Sequence, residues 1–312
     1  MHPHQKYLTV FGSVALGAIL LVGLLNFLVD PYDRFGLNKL GVYISAEREF
    51  KSTEFPRYAS DAVLLGNSRA AIIDVAGLTN LRCFNAAFGS AQLDEMNFFV
   101  QHFVTNQKLA LLSLDINSFG PLDAPVTDPF GPLTFRRAME YTLNLKNVEY
   151  SARTIVRHFS GIPTDLQPNG SYCEAKWAAE ADHADPATAH RKIQEFAGRL
   201  APYRFDPARL APLRSLRDTL AARHIPLIVY LAPINRAAMD LLDGTPAKSE
   251  LLKTRAAIQE VFPGAIDLTF SEYAAPENFF SGDPVHFRSA VGIRFLEERV
   301  LPAAHAAASG SK

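Results

Sequence analysis

A serine, an aspartate and a histidine in this 312-residue sequence have the types and local settings that nucleophilic catalysis requires. Ser68 ends the apolar run AVLLGNS, and a serine hydroxyl attacks an acyl carbon only when a base takes its proton. In Asp283-Pro284-Val285-His286, an aspartate three residues before a histidine can bond the imidazole Nδ1–H and leave Nε2 toward the serine. The same spacing is also typical of a turn or helix-capping aspartate beside a surface histidine.

These residues need a scaffold, and the chain alternates short apolar runs with segments of helical period. Runs typical of buried strands cover 62–68, 83–88, 109–117, 225–235 and 265–270. Apolar residues at helical spacing follow within 93–103, 210–220, 251–261 and 291–300. This alternation predicts an α/β fold with a central parallel sheet covered on both faces. Ser68 then lies at the carboxyl end of a strand, where ligands collect in such sheets.

The N-terminal region contains an apolar run over 8–29, with no charge between Lys6 and Asp30. A helix of this length crosses a hydrocarbon core of roughly 30 Å. The run is longer than the apolar region of a signal peptide and is followed by no small-residue cleavage site. These features favour an uncleaved transmembrane anchor over a cleaved signal peptide or a buried soluble helix.

The predicted organisation is a short tail (1–7), the anchor (8–29), a connecting segment (30–60), an α/β domain (61–302) and a flexible tail (303–312). Prolines and polar stretches interrupt the alternation at about 120–206, which we interpret as an insertion in the domain. The basic residues that flank the anchor do not fix its orientation. One lysine precedes it and four basic residues follow, which alone favours a cytoplasmic domain, yet long domains translocate despite such charge.

Composition excludes several classes of function. With 31 basic and 32 acidic residues, a pI near 6.8 and no Lys/Arg run, the chain lacks the charge for non-specific nucleic-acid binding. Cys83 and Cys173 lack the spacing of a zinc or redox site, and they either pair or remain free thiols. A polar cluster fits a solvated helix start better than any metal template: Asp182, His183, Asp185 and His190. We therefore expect no metal and no cofactor.

Four short blocks, taken in order, resemble those of the SGNH/GDSL hydrolase superfamily over most of 62–300. The blocks are Gly66-Asn67-Ser68-Arg69, Asn85-Ala86-Ala87-Phe88-Gly89, Asp115-Ile116-Asn117 and Asp283-Pro284-Val285-His286. The N-terminal helix, the following Asp30-Pro31-Tyr32 and the Gly-x-Ser-Arg block are similar to a membrane-anchored branch. That branch includes proteins of alginate and cellulose O-acetylation and of teichoic-acid D-alanylation.

The resemblance implies a flavodoxin-like three-layer α/β/α domain in which Ser68 is the nucleophile, His286 the base and Asp283 the acid. It also implies an oxyanion hole formed by the backbone N–H groups of Ser68 and Gly89 and the side-chain amide of Asn117. The family's third block usually reads Gly-x-Asn-Asp, and its first block Gly-Asp-Ser-Leu, so this sequence departs from both. Arg69 is a candidate either for binding a substrate carboxylate or for a structural ion pair at a helix start.

We therefore expect a single-pass protein of the cell inner membrane, with a periplasmic or extracellular serine acyltransferase or esterase domain. The expected reaction is O-acyl, notably acetyl, transfer to a cell-surface polysaccharide, beside a membrane-bound O-acyltransferase as partner. Alternatives are a carboxylester hydrolase or deacetylase, and a non-catalytic glycan-binding or assembly component that retains the fold. Three aromatic residues are candidates either to stack on sugar rings or simply to pack: Phe159, Tyr172 and Trp177.

Overall fold

A computed structural model describes residues 2–44, 46–122, 124–131, 133–175, 178 and 185–303. The chain forms two compact units, one of Met1–Thr53 with Gly131–Leu166 and one of Glu54–Phe130 with Gln167–Lys312. The insertion predicted at about 120–206 is thus divided between the units. The tail predicted at 303–312 lies, after its first residue, outside the described residues.

The second unit contains a five-stranded parallel sheet. Its strands are β1 (Ala62–Leu65), β2 (Cys83–Asn85), β3 (Leu109–Leu114), β4 (Leu227–Leu231) and β5 (Ile266–Asp267), in the order β2-β1-β3-β4-β5. Each strand lies within one of the five apolar runs, which confirms the α/β class and the parallel sheet. In the register of the sheet, Ala62 of β1 is opposite Cys83 on one side and Leu109 on the other. All four residues of β1 are buried, as expected for a central strand.

Helices connect and flank these strands. In chain order, the helices of the described residues are α1 (Pro3–Val29), α2 (Glu47–Glu54), α3 (Ser68–Ala71), α4 (Leu93–Phe103), α5 (Phe135–Thr142), α6 (Leu145–Ser160), α7 (Pro186–Leu200), α8 (Leu210–Ala222), α9 (Arg236–Asp240), α10 (Pro246–Val261) and α11 (Ser289–Phe295). A π-helical turn, Leu296–Val300, continues α11, and short 3-10 turns occur at Val75–Gly77, Pro207–Arg209, Glu272–Ala274 and Pro276–Asn278. All four predicted helical segments therefore form helices.

The core of the second unit is built from the apolar faces of these elements. Helices α4 and α8 pack against each other, and α8 buries a leucine at nearly every turn: Leu210, Leu213, Leu216 and Leu220. Phe99 of α4 lies at the centre of an aromatic cluster, with ring centroids 5.0–5.5 Å from those of Phe55, Phe88, Phe103 and Phe130. Such ring pairs contribute about 0.5–1.5 kcal/mol each beyond their buried area.

In the first unit, α1 is long and apolar enough to cross a membrane, and its most apolar 18-residue window is not buried at all. Its C-terminal end differs, because Asn26 is buried and fully hydrogen-bonded. The Asn26 amide donates to the carbonyls of Thr142 and Asn144, at 2.8 and 3.1 Å, and its oxygen accepts from the Ser151 hydroxyl at 3.0 Å. These bonds join the end of α1 to α5 and α6.

The Asp30-Pro31-Tyr32 motif completes this junction. Asp30 ends α1 in a left-handed conformation, with φ of 45°, and its buried carboxylate accepts the Tyr141 hydroxyl at 2.8 Å. The same carboxylate accepts three backbone N–H groups of the following turn, from Arg34, Phe35 and Leu37. The Tyr32 hydroxyl donates to Asn147 of α6 at 3.2 Å. The motif therefore fixes the exit of the chain from α1.

Candidate active site

Ser68 is the first residue of α3 and follows β1 after a two-residue turn. Asn67 caps the helix, and its side-chain oxygen accepts the Arg69 N–H at 3.1 Å. A Cβ on Gly66 would lie 2.8 Å from Ala70 Cβ and 2.9 Å from the Cβ of a β3 residue, so the turn has room only for glycine. The strand order reverses between β1 and β3, which is where parallel sheets place their ligands.

The structure brings the predicted acid and base to this serine. Nε2 of His286 lies 2.9 Å from Oγ of Ser68, and Nδ1 of His286 lies 2.9 Å from Oδ2 of Asp283. An ionised carboxylate only accepts hydrogen bonds, so Nδ1 carries the hydrogen and Nε2 accepts the serine hydroxyl. The side chains of His286 and Asp283 are 16% and 24% exposed, so both are partly accessible to solvent.

Asp283 has two roles at once. Its Oδ2 binds the imidazole, while its Oδ1 accepts the backbone N–H groups of Val285 and His286, both at 2.8 Å. The turn role and the histidine-orienting role, which the sequence left as alternatives, thus coexist in one carboxylate. Asn235, just after β4, holds the same loop because it bonds the carbonyls of Asp283 and Pro284. The sheet therefore positions the acid and base as well as the serine.

The electrostatics favour an ionised Asp283. Burial alone would raise the pKa of this carboxyl group. The hydrogen bond and charge interaction with His286, together with the two backbone N–H donors, outweigh burial, so the pKa of Asp283 lies below its usual value. Asp283 is consequently a carboxylate at neutral pH and can stabilise an imidazolium that forms on His286.

A buried ion pair lies behind the nucleophile. Nε of Arg69 is 3.0 Å from Oδ2 of Asp115, and the two side chains are 2% and 3% exposed. Asp115 Oδ2 also accepts the side-chain amide of Asn67, so the pair links the ends of β1 and β3. Arg69 thus forms a structural ion pair, the second of the two roles that its position in the sequence allowed. Burial lowers the pKa of Arg69, while the carboxylates of Asp115 and Asp283 act in the opposite direction.

The three predicted oxyanion donors lie around the turn that carries Ser68. The Ser68 N–H is the first amide of α3 and therefore has no partner within the helix. Gly89 follows Phe88, whose N–H donates to the carbonyl of Gly66 at 3.1 Å, so the second block lies directly beside the first. Asn117 follows β3 and contacts Arg69. The residues that carry these donors therefore follow β1, β2 and β3 at the carboxyl edge of the sheet.

The orientation of the Asn117 amide follows from its contact with Arg69. Nη2 of Arg69 lies 2.9 Å from Oδ1 of Asn117, and a guanidinium can only donate. The amide oxygen must face Arg69, so the NH₂ group is directed away from it. Asn117 also lines a cavity of about 340 Å³ together with Asn67, and the other described residues of its lining are Ser90, Ala91, Gln92, Ser118, Gly120, Pro121 and Leu122. This lining carries hydroxyl and amide groups and no charge.

The aromatic and cysteine candidates have different settings in the described structure. Tyr172 is 7% exposed and is therefore packed, whereas Phe159 is 81% exposed in the first unit. Trp177 lies outside the described residues. Cys83 and Cys173 are free thiols.

The polar cluster considered for metal binding is only partly described. Asp182 and His183 lie outside the described residues. Asp185 is the N-cap of α7 and accepts the backbone N–H groups of Ala187 and Thr188, while His190 contacts a glutamine of the same helix. Within the described residues, no three His, Cys, Asp or Glu side chains form a group that could hold a metal ion.

Sequence reasoning missed the roles of Asp115 and Asn235. Asp115 was treated only as part of a motif, although it is the partner of Arg69. Asn235 was treated only as the end of an apolar run, although it holds the loop of the acid and base. A usable signal was present in both cases, since each is a polar residue at the carboxyl end of an otherwise apolar strand.

No family model matches the sequence, and no curated protein matches it either.

Proposed function

We propose that this protein is a membrane-anchored serine acyltransferase or esterase related to the SGNH/GDSL hydrolases. The observation that carries the proposal is the continuous chain of contacts from Asp283 through His286 to Ser68, with both distances at 2.9 Å. Its position at the strand-order reversal adds support, as does the cavity whose described lining includes Asn67 and Asn117. The strand order is that of flavodoxin-like sheets, which supports a three-layer α/β/α arrangement as the finer description of the fold.

In the proposed reaction, Oγ of Ser68 attacks the carbonyl carbon of an acyl donor while Nε2 of His286 takes the hydroxyl proton. The tetrahedral oxyanion collapses, the bond to the leaving group breaks, and His286 returns its proton to that group. A sugar hydroxyl or water then attacks the acyl-serine and loses its proton to His286. The acyl group leaves with this second nucleophile, and Ser68 regains its proton.

Transfer to a sugar hydroxyl is the outcome we favour. The cavity at Asn67 and Asn117 carries amide and hydroxyl groups on its described lining, and these are the hydrogen-bonding partners that a neutral sugar needs. The apolar helix α1 would anchor the chain in a membrane, where a membrane-bound O-acyltransferase is the proposed partner and a cell-surface polysaccharide the proposed acceptor. The proposed location is the periplasmic or outer face of the inner membrane.

Covalent labelling tests the proposed nucleophile. We expect a fluorophosphonate to form one adduct on Ser68 of the full chain, because His286 raises the nucleophilicity of that hydroxyl. Intact-mass spectrometry measures the adduct, and peptide mapping locates it. Ser68→Ala should abolish labelling, while Ser118→Ala, which removes another serine near the cavity, should not. A well-folded wild-type chain that remains unlabelled would contradict the proposal.

Asn117 provides a test of the oxyanion hole. We expect Asn117→Ala to lower kcat by about 10²- to 10³-fold with little change in KM, because the lost donor acts mainly in the transition state. Asn117→Asp keeps an oxygen for Arg69 and removes the NH₂ donor, so it should lose at least as much. Steady-state kinetics with an activated acetyl ester measure both. A kcat of Asn117→Asp close to that of the wild type would remove Asn117 from the oxyanion hole.

A further inference from the structure

Helix α6 of the first unit buries polar side chains and exposes apolar ones, which is the reverse of an amphipathic helix in a soluble protein. Its buried side chains are polar: Asn147, Ser151 and Thr154. Its exposed large apolar side chains are Leu145, Val156 and Phe159, which are 74%, 59% and 81% exposed. Val156 follows Leu145 by eleven residues and Phe159 follows Val156 by three, so all three lie on one face of the helix. Glu149 lies on the same face between Leu145 and Val156, so the exposed apolar side chains form patches toward the two ends of the helix. Uncovered apolar patches of this kind mark an interaction surface.

Helix α5 also carries exposed apolar side chains. Phe135, Met139 and the C-cap residue Leu143 lie four residues apart, and they are 82%, 41% and 38% exposed. Tyr141 of the same helix is buried, and its hydroxyl bonds Asp30. Thus both helices turn polar groups toward the end of α1 and leave apolar side chains uncovered in the described structure.

The uncovered surface is continuous with α1. A Cβ on Gly23 would lie 3.2 Å from Leu143, and Asn26 bonds the carbonyls of Thr142 and Asn144. The junction of α5 and α6 therefore lies against the last two turns of the apolar helix. At this level α1 exposes apolar side chains of its own: Leu24, Phe27 and Leu28.

The charges on α5 and α6 identify the kind of surface they fit. Residues 135–160 contain five basic side chains and two acidic ones, but Arg157 is 15% exposed and paired with Asp165 at 2.8 Å. The basic side chains left for the surface are Arg136, Arg137, Lys146 and Arg153, against Glu140 and Glu149. Helices that lie in a membrane interface combine such a basic polar face with exposed Phe and Leu on the other face. The flexible stems of Lys and Arg also let their charged groups reach headgroups while nearby apolar side chains enter the acyl region.

We propose that α5 and α6 form a membrane-docking hairpin that lies in the interface of the bilayer entered by α1. The exposed apolar side chains enter the boundary between headgroups and acyl chains, and the basic side chains contact anionic headgroups. The first unit is then held to the membrane surface along two helices as well as by α1. This inference concerns lipid contact alone and is independent of the chemistry at Ser68.

Depth-dependent fluorescence quenching tests the docking. The full chain would carry Cys173→Ser and one added cysteine, Leu145→Cys or Phe159→Cys, labelled with an environment-sensitive dye in nanodiscs. Native Cys83 is 2% exposed, and burial raises the pKa of its thiol, so it does not compete for the dye. We expect blue-shifted emission and stronger quenching by a lipid spin-labelled near its headgroup than by aqueous iodide.

Leu252→Cys is the matched control, since Leu252 is an exposed leucine of α10 in the second unit. Its label should respond to iodide more than to the lipid quencher. Labels at Leu145 and Phe159 that behave like this control would overturn the proposal, and so would protection from both quenchers, which indicates a protein partner. The lipid quenching should be stronger in nanodiscs with anionic phosphatidylglycerol than with phosphatidylcholine alone. Equal quenching would overturn the role of the basic side chains.

Discussion

Asp283→Asn is expected to lower kcat by about 10⁴-fold while the fold is retained. Asparagine keeps an oxygen that accepts the backbone N–H groups of Val285 and His286, so the hydrogen bonds that hold the loop are retained. Its NH₂ group, however, donates to Nδ1 of His286 and forces the proton onto Nε2. In that tautomer, His286 cannot accept the proton of Ser68, because Nε2 is already a donor. Steady-state hydrolysis of an activated acetyl ester measures the loss.

Two comparisons make this result specific to the triad. Ser68→Ala should lower kcat by roughly 10⁶-fold, and combining it with Asp283→Asn should add almost nothing, since residues that act as one unit are not additive. The thermal midpoint of Asp283→Asn should stay close to that of the wild type. A kcat within about tenfold of the wild type in a well-folded Asp283→Asn protein would mean that His286 is oriented by another group.

The second large effect concerns stability and the ion pair behind the nucleophile. We expect Asp115→Ala to lower the free energy of unfolding by about 3–5 kcal/mol, because it leaves the buried Arg69 guanidinium without its counter-charge. Arg69 and Asp115 are only 2% and 3% exposed, so water cannot replace the lost partner. Urea unfolding of the full chain in detergent micelles, followed by near-ultraviolet circular dichroism, measures the change.

The double variant Arg69→Met/Asp115→Leu should recover most of that loss, since it removes both buried charges and refills the space with apolar atoms. A surface pair serves as the control. Arg57 and Glu54 are 2.8 Å apart with 44% and 16% exposed side chains, so Arg57→Ala should change stability by less than about 1 kcal/mol. If Asp115→Ala lowered the free energy of unfolding no more than Arg57→Ala does, the Arg69–Asp115 pair would not contribute to stability beyond a surface pair.

Much of the second unit was predictable because its elements follow the usual rule that apolar faces are buried. Strand β1 (AVLL) is wholly apolar, β3 (LALLSL) is apolar except for one serine, and α8 repeats leucine at helical spacing. Ser68, Asp283 and His286 could be chosen because their chemistry requires particular residue types. Their meeting at 2.9 Å could not be derived, since it depends on contacts between residues 218 positions apart in the chain.

The part of the first unit that follows α1 was not predictable, for a physical reason. Sequence periodicity finds helices by assuming that their apolar side is buried, whereas α6 buries Asn147 and Ser151 and exposes Leu145. Asn26 is one polar residue within an apolar run, and nothing in the sequence indicates that it bonds α5 and α6. Hydrogen bonds between polar residues hold this part of the chain together. A prediction based on the burial of apolar side chains cannot identify the partners in those bonds.

The hydrogen bonds of Asn26 also constrain the order in which the helices of the first unit can pack during synthesis. The Ser151 hydroxyl that completes its hydrogen bonding is 125 residues further along the chain. At a synthesis rate of roughly 5–20 residues per second, that partner emerges roughly 6–25 s after Asn26 itself. Until then, the Asn26 amide oxygen at the end of α1 lacks this hydrogen-bond donor. Helix α1 can therefore reach its final packing only after α5 and α6 have been made.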